Sequence, residues 1–141
     1  MSTPAQQRTI ERFHHQAIRL LRQLRSVDEA HGFSGPRASA LSVLVFRGPQ
    51  SLSALAAAEG VKPPTMSRLV KSMQAEGLVR TGAAPHDQRE IRIEASALGR
   101  KRMLEARARR LAAIHEMLAG ASPAEVRALA SVTDLLERVL R

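Results

Sequence analysis

Ile10, Phe13, Ala17, Leu20, Leu21, Leu24 and Val27 recur at three- and four-residue spacing, with Arg12, Arg19, Arg22 and Arg25 mostly between them. That period predicts an amphipathic helix over about residues 8–27. The pattern breaks at "HGFSGP", where Gly32 and Gly35 interrupt it and Pro36 can open a new helix at its first position. A second helix over about residues 36–46 turns Leu41, Leu44 and Val45 inward and stops before Gly48. The Ala-rich "SLSALAAAEG" then has Ser51 as a helix N-cap and Gly60 as the left-handed residue past its end. A short turn leads to Lys62, Pro63 and Pro64; prolines suit a first helical turn because its amides lack intrahelical acceptors. Met66, Leu69, Val70 and Met73 form the inward stripe of this fourth helix, which runs to about Glu76 and stops at Gly77.

The apolar period then changes. "LVRT" and "EIRIE" are short, β-branched and alternating, joined by "GAAPHDQR", and predict a two-stranded hairpin with a polar, basic tip. Ser96 can cap a long helix over about residues 97–119 that carries Leu98, Met103, Leu104, Leu111, Ile114 and Leu118 among many arginines. "GASPAEV" supplies an N-cap, Ser122, a first-turn Pro123, and Glu125 at the capping-box position; a last helix then turns Val126, Leu129, Val132, Leu135, Leu136 and Val139 inward. The fold class is therefore mainly α with a small β-hairpin. A tight pair of helices followed by a hairpin is the winged helix-turn-helix arrangement.

The outward side of the fourth helix carries the first candidate chemistry. Thr65, Arg68, Lys71 and Ser72 are spaced to face away from the apolar stripe, with Ser67 at its edge and Lys62 and Pro64 at the helix start. Hydroxyls and cations on an exposed helix face suit phosphate oxygens and base edges, and Arg can pair bidentately with guanine. A solvated basic surface would look similar, but the helix is second in a tight pair and precedes a basic hairpin. Around Gly82 and Pro85 that hairpin holds Arg80, His86, Asp87, Arg89 and Arg92. An arginine on a projecting wing can enter the minor groove, and a neighbouring carboxylate can fix its direction. Arg89 is the candidate inserted residue, with Arg80 and His86 beside it and Asp87 orienting it; Ser51, as a cap, is a candidate for the DNA backbone.

Residues 34–104 resemble the MarR family of winged-helix transcriptional regulators. The likeness rests on "SLSALAAAEGVKPPTMSRLVKSMQAEGLVR" and on the wing "HDQREIRIEASALGRK", where the family's Asp-x-Arg, alternating apolar residues, and Ser with Gly opening the next helix match Asp87, Arg89, Ile91, Ile93, Ser96 and Gly99. Gln88 departs from it, standing where a second Arg or Lys is frequent. The resemblance implies a homodimer interlocked through its terminal helices, with two recognition helices in successive major grooves of a pseudo-palindromic operator. On that reading residues 1–34 and 97–141 form the dimerisation region and 35–96 the DNA-binding region of one intertwined domain. The terminal helices carry more large apolar residues than the central unit could cover, which agrees independently.

Composition narrows the partners. The 141 residues are the length of one domain, and with three Phe and no Trp or Tyr the core must be built from aliphatic side chains and Met, which favours helices. Against 13 acidic residues stand 22 Lys and Arg, a formal charge of +9 that points to a polyanion: double-stranded DNA first, a membrane surface second. No apolar run suits a membrane span or secretion signal, so the expected location is cytoplasmic. Zero cysteines exclude disulfides, thiol redox sensing and thiolate metal sites, and the five histidines include no pair at helical i,i+4 spacing, so no metal and no cofactor is expected. No phosphate-cradling Gly-rich loop, His-Glu-x-x-His stretch or nucleophile setting argues for an enzyme.

The resemblance also implies a small phenolic or other aromatic anion bound between the dimer helices and the DNA-binding lobe. His14, His15, Arg19, Arg37 and Phe46 offer cations and apolar surface for it on the first two helices. The rival reading from another class is a sequence-tolerant architectural DNA-binding protein, which the same charge would serve.

Overall fold

The hydroxyl of Thr3 accepts the amide hydrogen of Gln6 at 3.2 Å, and Pro4 follows where no amide partner is needed. From this cap α1 runs over Pro4–Glu29. It begins ahead of its apolar stripe because a cap, not burial, organises its polar first turn. The structure, a computed structural model, describes residues 3–33, 35–84, 86 and 89–140. The chain continues through α2 (Gly35–Arg47), β1 (Gln50–Ser51), α3 (Leu52–Ala58), α4 (Pro63–Ala75), β2 (Val79–Ala83), β3 (Ile91–Ala95), α5 (Ala97–Met117) and α6 (Pro123–Val139). The described residues fall into two compact units divided between Arg110 and Leu111, within α5.

In the first unit one apolar core joins α2, α3, α4, the sheet and the first half of α5. Leu41, Leu44, Leu55, Met66, Met73, Ile93 and Met103 are its largest fully buried side chains. Each contributes about 1.5–3 kcal/mol of gross burial free energy. Two left-handed glycines, Gly60 (φ +63°) and Gly77 (φ +74°), end α3 and α4. At such a φ a β-carbon crowds the backbone, so glycine takes this sharp turn at least cost.

The sheet has three antiparallel strands in the order β1-β3-β2, one more than the hairpin read from the sequence. Gln50 pairs with Ile93 and Ser51 with Arg92. A two-residue strand shows no alternation, and its partner lies some forty residues on, so nothing local marks it. Along β3, Ile93 is fully buried but Ile91, on the same face two residues earlier, is exposed. The hairpin projects past the core at that point.

The second unit, from Leu111 onward, holds the end of α5 and α6. Ser122 and Glu125 cap α6 reciprocally, as expected. The inward stripe expected of α6 is not inward in the single chain: Val126, Leu129, Val132, Leu135 and Val139 are exposed and Leu136 is only half-buried. Ile10, Phe13 and Leu21 of α1 are exposed as well. A helical period establishes that a face is apolar; it does not say which surface covers it.

Candidate nucleic-acid interface

Two forces fix α4. Its stripe of Met66, Val70 and Met73 is buried, and Leu69 packs against the same core half-exposed. Its start is abrupt: Lys62 occupies the N-cap without a side-chain bond, Pro63 and Pro64 bring no amide hydrogen, and the Thr65 amide bonds the Lys62 carbonyl at 3.0 Å. The prolines thus remove the groups that a helix start otherwise leaves unpaired.

The buried stripe leaves the opposite side of α4 to solvent. Lys62, Pro64, Thr65, Arg68, Lys71 and Ser72 are exposed and Ser67 is half-buried at the edge, as the spacing predicts. Among the described residues neither Arg68 nor Lys71 enters an ion pair. Glu59 borders the same shallow pocket as Arg68 without forming an ion pair with it, and Glu76 is paired with Arg37. Two cations are therefore left uncompensated on a face that also carries hydroxyls.

In the wing, Arg80 sits directly across from Glu94 in the register of β2 and β3, which fixes its stem along the sheet. His86 and Arg89 are exposed in the connecting loop, and the Ala84 amide bonds the Glu90 carbonyl at 3.0 Å to close it. Asp87, read as the residue that orients Arg89, lies outside the described residues, as does Gln88. Ser51 is the N-cap of α3, its hydroxyl accepting the Ala54 amide hydrogen at 3.1 Å. The remaining candidates are scattered. His14 and His15 are exposed on α1, Arg19 there donates to Gln16 at 3.4 Å, and Phe46 is exposed near the end of α2. No hydrogen bond or ion pair among the described residues joins any two of His14, Arg19, Arg37 and Phe46. Nor do the described residues contain a group of three or more His, Asp and Glu able to hold a metal ion.

A family model described as the MarR family matches residues 31–90. An HTH-type transcriptional regulator of Mycobacterium bovis, itself uncharacterized, is 34% identical over 119 residues, 84% of this chain and 83% of that protein. The chain belongs to the MarR family. A second HTH-type regulator, from Mycobacterium tuberculosis, matches over the same 119 residues at 34% identity, covering 84% of this chain and 83% of its own. Among solved structures, a MarR family protein from Bacillus stearothermophilus superposes with a TM-score of 0.88 at 19% identity, covering 99% of this chain and 98% of its own. A transcriptional regulator from Thermotoga maritima gives 0.79 at 20% identity, covering 94% of this chain and 96% of its own. At such identities these two establish the fold alone. The chain is therefore a DNA-binding transcriptional regulator of this family and not an enzyme. No described helix is long and apolar enough to cross a membrane.

Two relationships escaped the sequence reading. Glu76 ends α4, at the pole of the helix dipole that repels a carboxylate, and that misfit is a signal that a cation must answer it. Asp28 continues the apolar stripe of α1 one turn after Leu24, yet it is buried, with Arg110 of α5 3.8 Å away. A carboxylate in an apolar stripe is the corresponding signal there.

Proposed function

We propose that the protein is a cytoplasmic, homodimeric repressor that binds a pseudo-palindromic operator and is released by a small aromatic or anionic ligand. The observation that carries the DNA reading is the pair of uncompensated cations, Arg68 and Lys71, on the outward face of a helix whose other side is locked into the core. In this reading Arg68 and Thr65 meet base edges, while Lys62, Pro64, Ser67 and Lys71, with Ser51 at the α3 cap, lie along the phosphates. Arg89, Arg80 and His86 bring the wing to the adjacent minor groove, Asp87 orienting Arg89.

The exposed apolar faces of α1 and α6 support the homodimer, since surfaces of this kind are covered by a second copy when the interface is isologous. Residues 1–34 and 97–141 then serve dimerisation and 35–96 DNA binding. The effector reading draws on His14, Arg19 and Phe46, and on Arg37 only if it gives up Glu76.

Selecting bound fragments from native genomic DNA, then competing them against random duplex across salt concentrations, tests the regulator. A selected fragment should compete at least a thousandfold better than random DNA, the lower end of what specific regulators reach. Equal competition would leave only electrostatic binding, the behaviour of an architectural protein.

A further inference from the structure

We propose that Arg37 is a positioning residue for DNA reading: acting through Glu76, it sets the roll of the recognition helix and hence which side chains meet the base edges. The inference rests on the DNA reading above. A buried line of Met66, Val70 and Met73, flanked only on the Glu76 side by half-exposed Leu69, attaches α4 to the core, and so narrow a band of apolar packing resists lifting better than it resists rolling. Roll must therefore be set from the flanks. At roughly 100° per residue, Gln74 and Glu76 fall about 80° to either side of that line. Both are tethered. The amide of Gln74 donates to the Thr81 hydroxyl on β2 at 3.2 Å, and Glu76 accepts from the Arg37 guanidinium on the first turn of α2. The two tethers pull toward different elements from opposite flanks.

The pairing also resolves the charge of Glu76. A carboxylate at a helix C-terminus is disfavoured by the dipole, and here it would also add negative charge to an element that approaches phosphates. Arg37 answers both. Both partners are only partly exposed, 33% for Arg37 and 44% for Glu76, so each has given up part of its hydration to face the other. Arg37 thus has no need to touch DNA in order to matter to it.

A positioning role and a phosphate contact leave different signatures. The experiment takes full-length wild type, R37M, E76Q and the reversed pair R37E/E76R, and measures affinity for a wild-type-selected fragment and for random duplex across salt. Either single substitution should weaken the selected fragment about threefold to tenfold more than it weakens random duplex, as expected for a partly exposed ion pair present once per protomer, and the salt slope of R37M should stay that of wild type. The reversed pair should recover most of the loss, because the tether is restored with its polarity exchanged. Thermal melting of each variant separates a shifted helix from an unfolded one. A salt slope that falls by about 0.9 for each Arg37 of the dimer, or no recovery in the reversed pair, makes Arg37 a DNA contact or a bystander and overturns the proposal. If wild type itself selects no fragment, the regulator reading fails and this one with it; if wild type selects normally and R37M does too, this one alone fails.

Discussion

Gly99 lies so close to Leu78 that a β-carbon placed on it would overlap the Leu78 carbonyl oxygen, with Leu41 Cδ1 only 3.2 Å from it. The close approach locks the first turn of α5 onto the segment that links the recognition helix to the wing. Ser96 ties the same two places with one hydroxyl, which donates to the Gly77 carbonyl and accepts the Gly99 amide hydrogen at 3.0 Å. The end of the recognition helix and the start of α5 are thus one rigid joint.

Substituting Gly99→Ala should therefore cost about 3 kcal/mol or more, because backbone, not a flexible side chain, must move aside. Gly120→Ala is the control: nothing stands within 4 Å of its β-position and its φ is not left-handed. It should change stability by no more than about 0.5 kcal/mol in either direction. Urea denaturation of both variants decides the matter, and equal midpoints would contradict the close approach.

How much of the molecule is legible in its sequence depends on range. Gly60, Gly77, Ser51, Ser122 and Glu125 act on their own neighbours, so helix ends can be read from them directly. The face of α4 follows from Met66, Val70 and Met73, because a helical period forces everything off the stripe outward. β1, the Arg37–Glu76 pair and the Asp28–Arg110 pair join residues dozens of positions apart. No local period encodes such partners. For α6 the pattern correctly marks an apolar face, yet Leu129 and Leu135 stay exposed in one chain. Periodicity cannot distinguish a core from an interface.

Asp28 and Arg110 give a prediction about buried charge. The Asp28 side chain is 9% exposed and that of Arg110 29%, so their attraction is poorly screened and neither is well solvated alone. Arg110→Leu should cost about 1–3 kcal/mol by leaving the carboxylate uncompensated, whereas adding Asp28→Leu should recover much of that loss. A double-mutant cycle in urea measures it. Strictly additive losses would show that the two charges do not interact.

Glu125 supplies a pH dependence. The backbone amide and then the hydroxyl of Ser122 hold its carboxyl below the ordinary carboxylate range. Both donors bond Oε2 at 2.8 Å. A carboxyl lowered by folding stabilises the folded state above its unfolded pKa, and that contribution disappears as pH falls through the folded value. The difference in thermal stability between wild type and Glu125→Gln should accordingly be present at neutral pH and shrink in acid below the ordinary carboxylate range. A difference that grows in acid would have the wrong sign.

The exposed stripe of α6 predicts assembly. If a second copy covers it, Leu135→Arg places a charge in an apolar interface, and sedimentation should show a shift from dimer to monomer with the helical content of each chain largely kept. Operator affinity should drop as well, since two half-sites would no longer be engaged by one particle. A Leu135→Arg protein that sediments like wild type would remove α6 from the interface.

Arg68 and Lys71 separate reading from holding on a single helix. Both are exposed on the outward side of α4, and neither is paired among the described residues, so neither substitution should disturb the core. An arginine bidentate to guanine contributes about 1–3 kcal/mol of discrimination, while a lysine on a phosphate contributes to affinity with little regard to sequence. Arg68→Ala should thus lower affinity for the selected fragment and relax preference at one base pair of each half-site. Lys71→Ala should instead weaken all duplexes alike and reduce the slope of log affinity against log salt by about 0.9 for each phosphate it no longer neutralises. Binding measured across salt on the selected fragment and its single-base variants assigns the two roles. A uniform loss with Arg68→Ala and a base-specific loss with Lys71→Ala would exchange them, and would mean that α4 enters the groove rolled toward Ser67, the side on which Gln74 is tethered.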